Sequence, residues 1–409
     1  MGANWRIGTL FGIPLYVNAS WFLILAFVTF ANAANANAKG WVTESNPLLG
    51  WAIGFAIALL LFGSVLLHEL GHSLVAKAQG IPVQSITLFL FGGIATIDRE
   101  SETPGKAFQV AIAGPVVSLS LGGMFFALAL ASNATALQPF VLDLARINLV
   151  LGLFNLIPGM PLDGGQVLKA ALWKLTGDRL RAARWAAASG QTLGLLAIAL
   201  GLFASLVGGS FATLWIAAIG WFVFQNAGRY QRVTALQEIL LQIAAADTMT
   251  RKLRVLDATQ TLREFADTVI LDDKLQSRPL YAASDGRYRG AIVVSDLQAI
   301  ARADWEHLTL ADIARPLESV PSIAEKATLA DVVLALDATT DPHITVLSPA
   351  GTLAGTIDRG DVVRAIADAG GWSASPEDIA RIQAERAFPP TLKLVALARA
   401  TCDIAARSE

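Results

Sequence analysis

A single cysteine, Cys402, stands in 409 residues, so the chain can form no internal disulfide and no thiolate cluster for a metal. Any metal must be held by His, Asp or Glu. Charge is scarce as well. Only 16% of residues are charged, against about 25% in soluble domains, which argues against an ordinary cytosolic enzyme. The net charge of −2 offers no basic excess for nucleic acid, so no nucleic-acid partner is expected. Disorder is excluded by the opposite abundance, 54% hydrophobic residues. The first seventeen residues hold no apolar core, so no cleavable signal peptide is expected. Arg6 stands where myristoylation wants Ser or Thr.

The composition changes along the chain. Residues 1–230 hold twelve Lys and Arg against eight acids; the remainder holds nineteen against twenty-five. An apolar, slightly basic half therefore precedes an acidic half of soluble character. About six apolar stretches approach the ~20 residues that span a bilayer: Ala19–Ala36, Trp51–Ala78, Phe108–Ala131, Phe140–Leu156, Thr192–Val207 and Phe211–Asn226. Between them, one side collects Arg6, Lys77, Arg99, Lys106, Lys169, Lys174, Arg179, Arg181, Arg184 and Arg229, and the other only Lys39. The positive-inside rule then puts both termini in the cytoplasm of a multi-pass cell-membrane protein. Val83–Ile97, β-branched and broken at Gly92-Gly93, reads as a strand pair with a turn. At a membrane it must sit in a protein-lined cavity or at the interface. Lys169–Arg184 suggests an amphipathic helix at the inner interface or an ordinary positive loop. Asp143 and Arg146, three apart, can pair on one helix face.

The chemistry concentrates in two places. In the second stretch, His68, Glu69 and His72 form H-E-x-x-H. On a helix, residues four apart share a face, so two imidazoles can bind one metal ion while Glu69 serves as general base toward water. Ionisable groups inside an apolar helix are functional by default. The second place is Phe154–Leu168, where a helix runs into Asn155 and breaks at Pro158, Gly159 and Pro161 before Asp163 and Gly164-Gly165. Asp163 can complete a His-His-Asp site with an open position, or it can N-cap the helix Gly164–Leu175.

Together, H-E-L-G-H at 68–72 and N-L-I-P-G-M-P-L-D-G-G at 155–165 resemble the site-2 protease family of intramembrane zinc metalloproteases. Ala113-Gly114-Pro115 resembles a further family feature. The resemblance covers most of residues 1–230. It implies that His68, His72 and Asp163 bind one zinc ion and that Glu69 activates water. It implies a substrate-positioning role for Asn155, and it likens the Gly92-Gly93 hairpin to a membrane-associated β-element that could pair with an unwound substrate. The implied substrate is a transmembrane regulatory protein in the lipid bilayer, such as an anti-sigma factor or a membrane-held transcription factor. The rival is a transporter or channel using the same His and Asp side chains as a cation site.

After a linker helix at 231–246, residues 247–370 read as two similar α/β units, about 247–305 and 306–370. Each has a hairpin at Asp285-Gly286 or Gly351, then a strand leading into a helix at Asp296 or Asp361. Both resemble cystathionine-β-synthase (CBS) repeats, which pair and often bind adenine nucleotides, with Asp296 and Asp361 at the ribose-binding position. Val293 and Asp358 depart from the hydroxyl that family carries there. Dimerisation or substrate docking is the other role such a pair implies. His307 and His343 have no ligand-spaced partner, and the tail 371–409 reads as two short helices around Pro389-Pro390. The expected fold is thus a helical membrane domain with a small β-hairpin, followed by a soluble α/β tandem CBS domain.

Overall fold

A computed structural model describes residues 4–34, 47–89, 92–131, 138–208, 213–251, 253–271, 279–285, 287–297 and 299–405. Lys39 and Gly286, used in the expectations above, lie outside the described residues, as do Leu90 and Phe91 in the strand-pair segment. The chain divides into two units, residues 1–234 and 235–409.

The first unit opens with β1 (Asn4–Leu10) and β2 (Ile13–Asn18), which turn through Phe11 and Gly12, both with positive φ. Helices α1 (Ala19–Ala34) and α2 (Pro47–Ala78) follow, then β3 (Val83–Phe89) and β4 (Gly92–Ile97). The four strands form one sheet in the order β1-β2-β3-β4, with β2 and β3 parallel and the other pairs antiparallel. The segment expected as a small membrane-associated hairpin supplies two strands of a four-stranded sheet. Burial alternates along β2, as a half-covered strand requires. Ile13, Leu15 and Ile86 meet Leu70 of α2 in a small core. One edge of that sheet is β4.

Five helices complete the unit: α3 (Pro104–Ala131), α4 (Gln138–Asn155), α5 (Asp163–Thr176), α6 (Arg179–Gly208) and α7 (Leu214–Gln242), the last running into the second unit. Among the described residues, three helices are long and apolar enough to cross a membrane: Leu48–Ala78, Pro104–Ala131 and Arg179–Gly208; Ala19–Ala34 is a shorter apolar helix. Small residues let these helices approach closely. A side chain at Gly194 would meet Gly220 and Phe224 backbone of α7 within 3 Å.

Lys169–Arg184 is not one amphipathic helix. Gly177, at φ 72°, caps α5, and α6 begins at Arg179. Lys169 turns inward, its Nζ 2.7 Å from Glu100 Oε2 and 3.0 Å from the Tyr230 hydroxyl, and Arg179 bonds the same carboxylate. Desolvation alone would raise the Glu100 carboxyl, but the two cations outweigh it and hold it at about 2. Asp143 and Arg146 do pair, at 3.4 Å.

The second unit repeats one pattern twice. In the first repeat β5 (Arg254–Asp257), helix α8 (Leu262–Leu271), β6 (Leu280–Ser284) and β7 (Arg287–Ile292) form a sheet with β5 parallel and β7 antiparallel to β6. In the second, β8 (Ser322–Ala324), α9 (Leu329–Asp337), β9 (His343–Leu347) and β10 (Leu353–Asp358) do the same, and α10 (Arg359–Gly370) follows. Tyr281 of β6 reaches Thr345 of β9 at 2.9 Å. The repeats exchange their opening segments. Ala245 and Thr250 bond Ala327 and Thr356, while Leu310, Ala311 and Arg315 bond Gln260, Ala258 and Ala291. A cut at 305/306 therefore separates Leu310 from the first repeat's core, in which it is buried. The tail forms α11 (Pro376–Glu385) and α12 (Leu394–Ala405), either side of Pro389-Pro390.

At the start of α10, Asp358 and Asp361 accept each other's backbone N–H in a reciprocal cap. Burial and the neighbouring Asp358 push the Asp361 carboxyl up to about 6. In the unfolded chain this carboxyl ionises near its ordinary 3.8, so its contribution is fully present below that pH and is lost as pH rises through about 6. Asp361→Asn keeps an acceptor for the cap without the charge. It is expected to raise the unfolding midpoint at pH 7, with the gain vanishing by about pH 4 in thermal melts across that range.

Candidate active site

The site is built on α2. His68 and His72 lie one turn apart on one face of that helix, 4% and 8% exposed, with their Nε2 atoms 3.3 Å apart. Each ring is anchored by its other nitrogen to α3. His72 Nδ1 lies 2.7 Å from the Val110 carbonyl. A carbonyl only accepts, so Nδ1 carries the hydrogen and Nε2 keeps its lone pair. His68 Nδ1 lies 2.9 Å from the buried Ser118 hydroxyl. Outer partners of this kind fix the tautomer and aim of metal-binding imidazoles.

Asp163 supplies the third group. Its Oδ2 is 2.9 Å from His68 Nε2 and 3.2 Å from His72 Nε2. The capping alternative is set aside, because Leu162 is the N-cap of α5 and no side chain caps that end. Asp163 is the first helical residue and faces α2 instead. The preceding turn is packed to leave no freedom. A side chain at Gly164 would lie 2.3 Å from the Leu156 carbonyl, and Met160 is fully buried. One donor atom from each of His68, His72 and Asp163 falls within 4.8 Å of the others, so the three could hold a metal ion. Two nitrogens and a carboxylate oxygen are donors that suit zinc, and three protein ligands leave a position open.

Glu69 does not join this cluster. It projects toward β4, where a side chain at Gly93 would come within 2.5 Å of its Cγ. His68, Glu69, His72, Gly92, Gly93, Asn155 and Asp163 all line one cavity of about 1100 Å³ in the first unit. Asn155 is the last residue of α4. The other two predicted residues lie in the second unit and are engaged locally. Both oxygens of Asp296 are bonded by Arg315 at 2.7 Å, and Asp361 bonds Arg364 and the Asp358 amide. Sequence reasoning missed Ser118, whose hydroxyl in an apolar helix carries no distinguishing pattern, and the inward turn of Lys169. Gly114-Pro115 was a visible signal whose purpose only the packing reveals.

Two oriented imidazoles and a carboxylate aimed at one point, with an unligated carboxylate beside them, are what a metal-dependent hydrolase requires. The sequence pattern of peptidase family M50 matches residues 56–136 and 131–200. The chain is 38% identical over 370 residues to sll0528 of Synechocystis, covering 90% of this chain and 96% of that protein. It is 34% identical over 355 residues to Rip3 of Mycobacterium tuberculosis, covering 86% and 90%. Both relatives are assigned as zinc metalloproteases. A solved site-2 protease from Methanocaldococcus jannaschii is 30% identical, covers 56% of this chain and 96% of its own, and has a TM-score of 0.42. The chain belongs to peptidase family M50 and is a zinc metalloprotease. Its membership does not favour the cation-transport alternative.

Proposed function

We propose that this chain cleaves transmembrane segments of membrane-held regulatory proteins, with His68, His72 and Asp163 holding one zinc ion and Glu69 as the general base. The observation that carries the reading is convergence. Residues 95 positions apart, His68 and Asp163, meet at 2.9 Å on the wall of a cavity that also holds Glu69. Zinc, when bound, polarises the scissile carbonyl and lowers the pKa of a water to about 7. Glu69 takes the proton from the attacking water and passes it to the leaving amine. Ser118 and the Val110 carbonyl hold the imidazoles in register. A helical substrate hides its peptide bonds and must unwind before attack. The outer edge of β4, with Gly92 and Gly93 beside Glu69, accepts the extended form by strand addition. Asn155 positions its backbone. The sheet lies at the membrane interface in this reading.

Six apolar stretches support six spans, and the excess of Lys and Arg in loops on one side supports both termini and the second unit in the cytoplasm. The repeated strand–helix–strand–strand order supports a tandem CBS pair that regulates the protease, by dimerising or docking substrate. Adenine nucleotide is the rival ligand. It would have to displace Arg315 from Asp296, and titration of the purified protein with AMP and ATP tests it.

Zinc content decides the central claim. Purified protein is expected to carry one zinc per chain, and Asp163→Ala to lose it or bind it at least tenfold more weakly. Equal zinc in both proteins would keep the His pair and demand another third ligand. A well-folded protein that takes up no zinc would end the reading.

A further inference from the structure

We propose that a cationic rim formed by Arg99 and Arg229 selects substrates whose membrane span is flanked by acidic residues. The inference rests on reading the cavity as the substrate channel. Both arginines line that cavity and both are solvent-exposed. A short chain of contacts links them along its wall. Arg99 precedes Glu100, which bonds Lys169; Lys169 bonds Tyr230, which follows Arg229. Among the described residues neither arginine has an ion-pair partner.

The local acids do not compensate them. Glu100 is shared between Lys169 and Arg179, whose side chains are nearly buried. Asp98 accepts from the neutral amide of Gln84 and keeps its charge, which the surplus cation of the Lys169–Arg179–Glu100 cluster balances. Glu102 pairs with Lys106 at 2.9 Å. Lys169 and Arg179 share the one Glu100 carboxylate, so that cluster stays net positive and leaves Arg99 and Arg229 without an ion-pair partner among the described residues. Lys169 is six residues along α5 from Asp163, or about 9 Å at 1.5 Å per residue. An extended chain covers that in roughly three residues. The rim therefore meets the polar flank of a substrate cleaved near the end of its span. On the proposed orientation, that flank is basic in most membrane proteins. The rim repels these and admits acidic ones, so it discriminates by rejection as well as attraction.

The test uses the full-length, zinc-loaded protein in phosphatidylcholine vesicles and two synthetic transmembrane peptides differing only in a three-residue flank, Asp-Glu-Asp or Lys-Arg-Lys. We expect kcat/KM about tenfold higher for the acidic flank, because exposed pairs are individually weak but two act together. The ratio should shrink in 0.5 M salt and fall to one or below in R99E/R229E. Equal cleavage of both peptides, or an unchanged ratio in the double variant, would overturn the proposal. So would a rate that follows the phosphatidylglycerol content of the vesicles and ignores the flank, since the rim would then bind lipid headgroups. The milder R99Q/R229Q serves if the charge reversal does not fold. Absence of any cleavage would strike the protease reading instead. The same peptides are therefore also titrated as ligands of Glu69→Gln, where the flank preference is read from binding alone.

Discussion

Glu69→Gln is expected to cut peptide hydrolysis by about 10²–10⁴-fold while zinc content stays that of the unaltered protein. Glu69 follows His68 directly on α2, so its side chain leaves the helix about 100° around from the imidazole face. It ends against Gly93 of β4, outside the cluster of His68, His72 and Asp163. Glutamine has the same length and fills the same space, but it cannot take a proton from water. Turnover of a transmembrane substrate and zinc per chain, measured on one preparation, separate the roles. Zinc lost together with activity would make Glu69 a ligand. Activity retained would place the base elsewhere and reopen the transport reading, which needs no base.

The parts of this site differ in how far the sequence discloses them. His68, Glu69 and His72 are legible because helical periodicity alone puts the two imidazoles on one face. By spacing alone Asp163 is legible as a residue of interest but not as a ligand; that role comes from the family resemblance. A carboxylate after Pro and Gly serves equally as a helix cap, and only the turn packed beneath Gly164 decides its direction. Ser118 is silent, since a serine in an apolar helix commonly bonds its own backbone. Strands β1 and β2 are hidden by Gly8, Gly12 and Pro14, which read as punctuation. Their place is set by the parallel pairing of Leu15 with Ile86 across two intervening helices, a non-local contact with no local pattern. The repeats of the second unit are legible in order. Their exchange of opening segments is not, because it changes partners without changing sequence.

Gly114→Ala is expected to weaken zinc binding by about tenfold to a hundredfold, with activity falling with it. A methyl group at this position would stand 2.3 Å from His72 Nε2 and 2.6 Å from His68 Nε2, the two atoms that face Asp163. Neither imidazole can step back. His68 is tied to Ser118 and His72 to the Val110 carbonyl, both on the helix that carries Gly114. Gly71 lets α3 lie close against α2, since a side chain there would meet the Ala113 carbonyl at 3.0 Å and Val117 at 2.9 Å. The backbone at Gly114 is thus the floor under His68 and His72, and glycine is the residue that leaves room for the two imidazole nitrogens to converge. Gly123→Ala, on the same helix with nothing within 4 Å, is the control and should leave zinc and activity unchanged. Zinc affinity by competitive chelation, with helical circular dichroism to verify folding, checks both. Full zinc affinity in a folded Gly114→Ala protein would mean that the rings are free to move, and that the site is held by Asp163 and not by α3.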